Sequence, residues 1–177
     1  MRYLVNGGWM RYLVNGVPTP SVTEILEAVG LISSRYYKPG SAERGTAVHK
    51  MLEDYDVLGV PGEGLYFEAY CSFLARAEPK IIAIERFVFV EEPRYGGTLD
   101  RVMEIDGAVY VVDIKTGWPA SWHEIQLAAY ARAYGAVDRI AALYLKDGIP
   151  RFREYDLKQG LARWAEALEK FYGGKDD

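Results

Sequence analysis

Residues 98–115 read TLDRVMEIDGAVYVVDIK, and their pattern decides the fold. Two strand-like runs, TLDRVMEI and AVYVVDIK, flank Asp106-Gly107, a two-residue signal for a tight hairpin. With those two residues as the loop, Ile105 faces Ala108, and counting outward sets Asp100 against Asp113 and Thr98 against Lys115. Facing Cβ atoms in a hairpin lie about 4.5–5.5 Å apart. Side chains alternate across a strand, so Lys115 points to the same face as Asp113. The two carboxylates repel each other, and Val102, Val111, Val112 and Ile114 around them are expected to keep water out. Such a pair either shares a proton or binds a cation. The lysine on the same face favours the cation. A metal held by two carboxylates keeps open positions for water and a phosphate oxygen, with Lys115 placed to hold the water or to stabilise developing charge. The competing reading is two separate, solvent-facing aspartates. It fits poorly, because aspartate is disfavoured inside strands. A bulge near Gly96-Gly97 would shift the register by one.

Upstream of the hairpin, KIIAIERFVFV (80–90) reads as a buried strand. Three helices precede it. The first opens at the capping pattern Ser21-x-x-Glu24 and stops at Gly30, the second covers about 42–57, and the third covers 65–77. Downstream, SWHEIQLAAYARAYG (121–135) is an alanine-rich helix, and RIAALYLK and PRFREYDL are strands around Asp147-Gly148. LARWAEALEKFY (161–172) closes the chain as an amphipathic helix. This order predicts an α/β sandwich on a mixed sheet, with no internal boundary: one domain over 1–177. MRYLVNGGW (1–9) is nearly repeated from Met10. The copies read either as two like strands of a hairpin, or as residues 1–9 extending a chain whose start is Met10.

The chain has 177 residues, half of them apolar and 26 % charged. That supports a real core and excludes a disordered chain. No apolar run approaches bilayer length, no signal-peptide pattern opens the chain, and Cys71 is the only cysteine, so an intracellular protein without membrane segments or disulfides is expected. The net charge of −4 argues weakly against nucleic acid. Carboxylates offset by bound cations weaken that objection. Asn6, Asn15, Gln126 and Gln159 are the only amide side chains, a composition that suits a hot habitat.

Four segments, GTAVHKMLE, YGGTLDRV, VVDIKTG and QLAAY, together resemble in order and spacing the PD-(D/E)XK nuclease superfamily, and most closely its RecB-type and phage-exonuclease branch. The likeness spans about residues 10–135, and the lead-in PSVTEIL is similar to that of many phage-type members. It implies a restriction-endonuclease-like core, a central mixed sheet flanked by helices. It implies that Asp100 and Asp113 bind divalent metal, that Ile114 lends its carbonyl oxygen, and that His49 completes the metal site. Lys115 becomes catalytic, and Gln126 and Tyr130 help position the DNA strand. One or two Mg2+ or Mn2+ ions are the implied cofactors. A lone cysteine cannot hold the iron–sulfur cluster of some RecB-type nucleases, and no P-loop signature occurs.

The remaining candidates carry bland readings too. His49 and Glu53 share a helix face, which suits a ligand and a supporting acid, although a helical glutamate is usually only solvated. Glu85 interrupts an apolar strand, so it is either a metal or supporting acid or the partner of an arginine. Arg35, Tyr36, Tyr37 and Lys38 put charge and rings in one loop, as single-strand binders do, or they anchor that loop on the core. Arg44, next to the Gly45–His49 segment, is a phosphate candidate. Trp118 and Trp122 flank the turn after Lys115, one to support the site and one to pack. His123 is expected on the helix surface. The expected activity is exonucleolytic hydrolysis of DNA from a free end with single-stranded character, in repair, recombination or viral DNA processing. A structure-selective endonuclease, a silent nucleic-acid-binding subunit and a small-phosphoester hydrolase are the alternatives, and an oligomer is compatible with the resemblance.

Overall fold

A computed structural model of the chain describes residues 2–6, 9–33 and 40–174, with side chains from Tyr12 onward. Arg35, Tyr36, Tyr37 and Lys38 lie outside the described residues. The two copies of the repeat form strands β1 (Arg2–Asn6) and β2 (Trp9–Val14), paired antiparallel, and β3 (Val17–Thr19) pairs with β2. Arg94 ties this small sheet down, donating to Val14 O and Thr19 Oγ1 at 2.9 Å each.

The central sheet has five strands in the order β4 (Lys80–Val90), β5 (Tyr95–Ile105), β6 (Ala108–Lys115), β7 (Arg139–Tyr144) and β8 (Arg151–Tyr155). Only β6 and β7 run parallel, joined by the crossover helix α4 (His123–Tyr134). Asp106 and Gly107 both have positive φ, 49° and 78°, as a two-residue hairpin turn demands. The β5–β6 register runs as expected from Ile105–Ala108 to Arg101–Val112. β6 pairs on its other side with β7 as far as Lys115–Tyr144.

Alternation along β6 sorts the core into two layers. Val111 joins Ile125, Leu127 and Ala128 of α4, together with α1 (Val22–Ala28) and α5 (Leu157–Gly173). Val112 and Ile114 meet Val48 and Leu52 of α2 (Ser41–Leu58), and Ala69, Tyr70 and Phe73 of α3 (Leu65–Ala77). The fold is therefore α/β, a mixed sheet covered by helices on both faces, consistent with a restriction-endonuclease-like core. No helix among the described residues is long and apolar enough to cross a membrane.

The starts of α1 and α5 carry side-chain caps. Ser21 accepts from Glu24 N at 3.0 Å. Asp156 accepts from Gln159 N at 2.9 Å, so β8 stops at Tyr155 and α5 begins at Leu157, earlier than periodicity alone predicts. His123 corrects the sequence reading. It is buried, because α4 is covered over nine of its twelve residues, from His123 to Ala131.

Candidate active site

The site forms where β5 and β6 stop pairing. Beyond Arg101–Val112 the Asp100 side chain takes over the ladder's work: its Oδ2 accepts from Ile114 N–H at 2.7 Å. The neighbouring carbonyl, Ile114 O, meets His49 Nε2 at 2.8 Å, and His49 Nδ1 lies 3.4 Å from Asp100 Oδ1. Asp100 and Asp113 are 7 % and 5 % exposed, so the two acids are buried as the flanking aliphatic residues predicted.

Glu85 comes to the same place from β4. Its backbone sits at φ 43°, a left-handed conformation that a non-glycine residue rarely holds inside a strand. Such strain persists where the surroundings fix it, and it clusters at functional sites. The ligand atoms of His49, Glu85 and Asp100 all lie within 4.8 Å of one another. One imidazole and two carboxylates suit a divalent cation such as Mg2+ or Mn2+, the nitrogen favouring the latter. Asp113 does not join that trio. Its Oδ2 lies 2.6 Å from Lys115 Nζ.

Lys115 is held from three sides. It donates to Gln126 Oε1 at 2.9 Å, its ammonium lies 5.0 Å from the Trp122 ring centre, and Asp113 neutralises it. Gln126 Nε2 in turn donates to Thr23 Oγ1 at 3.3 Å. Tyr130, one turn along α4, is buried with its ring over Gly97, where an added Cβ would lie 2.5 Å from Cε1. Gln126 and Tyr130 therefore both reach the site, but as inward-facing groups.

Charge sets the protonation pattern. The Asp100 carboxylate beside His49 raises the imidazole to about 9. Burial works to raise Asp100, but His49, Lys115 and the Ile114 N–H outweigh it and hold the acid below its ordinary value. Burial first, and then Asp100, push Glu85 up to about 7. Burial and Asp100 likewise push Asp113 up, against the pull of Lys115.

Other expected residues fall as follows. Arg44 is exposed in the first turn of α2, next to Gly45, whose Cα faces Thr116 of the turn after Lys115. Glu53 turns to Lys50 at 3.4 Å, a partner on its own helix, and is not in the converging trio. Trp122 supports Lys115, while Trp118 is 65 % exposed with Lys146 Nζ 4.3 Å from its ring centre. His123 accepts or donates at Nδ1 to Tyr144 Oη at 2.7 Å, and burial pushes it down to about 3.

A family model described as the PD-(D/E)XK nuclease superfamily matches residues 64–173, more than half of the chain and all five strands of the central sheet. The chain belongs to the PD-(D/E)XK nuclease superfamily. Members of this superfamily are generally metal-dependent nucleases, and the buried acids, the lysine and the His49–Glu85–Asp100 cluster are in keeping with that. One solved structure, described as the crystal structure of SSO0001, matches with 18 % identity over 86 % of this chain and 75 % of that one, at a TM-score of 0.41. No curated protein matches the chain.

Sequence reasoning about this PD-(D/E)XK chain offered an arginine partner for Glu85, which Arg101 provides, but missed the buried ionic lattice beneath the acids to which that pair belongs. Arg101, fully buried, donates from Nε to Asp56 Oδ2 at 2.8 Å and from Nη1 to Glu85 Oε1 at 3.2 Å and Asp100 O at 2.7 Å. Tyr70 Oη donates to the same Asp56 oxygen at 2.7 Å. One signal was present: Arg101 shares a strand face with Met103, and an arginine on a covered face requires acids.

Proposed function

We propose that this protein is a metal-dependent deoxyribonuclease that hydrolyses phosphodiester bonds, working as an exonuclease from a DNA end. The observation that carries the reading is the convergence of His49, Glu85 and Asp100, with Lys115 and Asp113 paired beside them. In the proposed site Asp100, Asp113 and the Ile114 carbonyl would hold a divalent cation and His49 would complete the ligand set, with Asp113 turning an oxygen away from Lys115 and His49 releasing the Ile114 carbonyl. Glu85 is promoted from a supporting acid to a ligand of the same cluster. A bound divalent cation supplies Lewis acidity: it acidifies water and offsets charge on the scissile phosphate.

The residues do the rest. Lys115, fixed by Gln126, Trp122 and Asp113, offers its ammonium to the attacking water and to the charge that grows on the phosphate. The apolar walls around Asp100 and Asp113 exclude bulk water and strengthen these interactions. Gln126 acts by holding Lys115, and Tyr130 by backing the acids; both support the strand-positioning role implied by the resemblance from behind the site. Arg44, exposed near the Thr116 turn, meets a backbone phosphate, and Arg35 and Lys38 are assigned the same role from sequence. The end-dependent form rests on the likeness to phage exonucleases.

The test uses end-labelled linear DNA and covalently closed circles, with Mn2+, Mg2+ or chelator, beside Lys115→Ala. Metal-dependent loss of linear DNA alone, abolished by the substitution, supports the exonuclease. Cutting of circles replaces it with an endonuclease on the same residues. DNA binding without cleavage in any metal replaces it with a silent binding subunit.

A further inference from the structure

We infer that Arg101 is a positioning residue that builds the cation cluster, by fixing the helix that carries His49 against the strands that carry Glu85 and Asp100. The inference rests on the reading that a divalent cation occupies that cluster.

Arg101 holds two members of the cluster and the helix that carries the third. Nη1 donates to the Glu85 carboxylate and to the backbone carbonyl of Asp100, two of the three converging residues. Nε donates to Asp56, which lies seven residues after His49 on α2. Seven residues are close to two helical turns, so His49 and Asp56 share a face. Arg101 thus reaches all three residues of the converging trio: two directly, and the third through the helix that bears it. Tyr70 of α3 donates to the same Asp56 oxygen and fixes that acid in turn.

Stability alone accounts poorly for this arrangement. A buried ion pair is no more stabilising than well-packed apolar residues of similar volume. Arg101 is also incompletely satisfied: its buried Nη2 has no hydrogen-bond partner among the described residues. A buried donor left without a partner adds cost rather than stability. Glu85 tells the same story, since its left-handed backbone is held with its carboxylate on Arg101. The planar, forked guanidinium can set two acids and a carbonyl at fixed angles; a lysine ammonium on a flexible stem cannot.

The two physical roles of Arg101 predict opposite signs. As a nearby positive charge it repels a cation, so removing it would tighten metal binding. As a positioning group it assembles the ligands, so disturbing it weakens binding. The experiment is Mn2+ binding followed by electron paramagnetic resonance of the free ion, without DNA and without reference to cleavage. It compares the unmodified protein, Arg101→Lys and Tyr70→Phe, each at temperatures where circular dichroism shows the native fold. Arg101→Lys keeps the charge and loses the fork. We expect it to weaken Mn2+ binding at least tenfold. Tyr70→Phe leaves every charge in place and loosens only the hydroxyl clamp on Asp56; it should weaken binding in the same direction, and it carries the test if Arg101→Lys does not fold. Unchanged or tighter Mn2+ binding in the folded variants overturns the positioning role while leaving the metal reading intact. No Mn2+ binding by the unmodified protein overturns both.

Discussion

The Asp100 carboxylate is hydrogen-bonded to the backbone N–H of Ile114 at 2.7 Å, a side chain occupying the place of a ladder carbonyl. This bond turns a regular hairpin into a site. It ends the pairing at Arg101–Val112, fixes one oxygen of Asp100 and leaves the other facing His49. The expected pairing of Asp100 with Asp113 and of Thr98 with Lys115 is therefore not part of the ladder: Asp100 turns to Ile114 and His49, and Asp113 to Lys115.

Asp113→Asn separates function from stability. Burial and the Asp100 charge both disfavour the ionised Asp113, so removing that charge should not weaken the metal-free fold. Cleavage should fall by roughly 10²–10³-fold, the range for losing one preorganised electrostatic group. The melting midpoint of the metal-free variant at pH 8 should hold or rise. Wild-type cleavage by this variant would sink the proposed mechanism.

Gln126→Ala should lower kcat by about 10–100-fold, as loss of an orienting partner usually does, because Lys115 then keeps only Asp113 and Trp122. KM for DNA should change little. A raised KM with kcat intact would show instead that Gln126 binds the strand directly.

His49 gives the metal-free protein a pH signature. Its folded value is raised from 6.5 to about 9 by the Asp100 charge, so the imidazolium stabilises the fold fully below about pH 6.5. That contribution is lost as the pH climbs through about 9. Chelated protein should therefore lose melting temperature between pH 6.5 and 9 more steeply than His49→Gln does. Parallel melting curves for the two proteins across that window would refute this assignment. A divalent cation competes with the same proton, so Mn2+ binding should tighten as pH rises.

Gly97→Ala tests the packing of Tyr130. The new methyl would sit 2.5 Å from Cε1 of a buried ring, a clash that must be relieved by displacing the ring or β5. We expect destabilisation of about 1–3 kcal/mol. That corresponds to a fall in melting temperature of about 2–4 °C per kcal/mol for a chain this long. Combining Gly97→Ala with Tyr130→Val should cost less than the two single changes added together. Strict additivity would place the strain elsewhere.

How much of this was legible beforehand varied with the range of the interaction. Strand β4 and helix α3 fall at the limits that composition and periodicity predict. The hairpin register followed from Asp106-Gly107, because a two-residue turn with two positive φ values leaves the flanking strands one way to pair. Alternation set Lys115 on the side of Asp113, and the two lie 2.6 Å apart, whereas the expected facing of Asp100 with Asp113 and of Thr98 with Lys115 falls beyond the last paired residues. Helix α5 was misjudged at its start because the cap, Asp156, sits in a segment that also reads as strand.

The sequence by itself therefore determined the elements, the hairpin register as far as Arg101–Val112 and the side on which Lys115 stands with Asp113, since all of these depend on neighbours a few residues apart. Only the tertiary structure decided which other groups reach them. Glu85 is joined to Asp100 by the pairing of β4 with β5, His49 by the docking of α2, and Gln126 by the crossover of α4. Arg101 finds Asp56 at a separation of 45 residues. No local period encodes such a partner; it is selected when helices and strands bury their apolar faces and the remaining charges must find opposites in the space between.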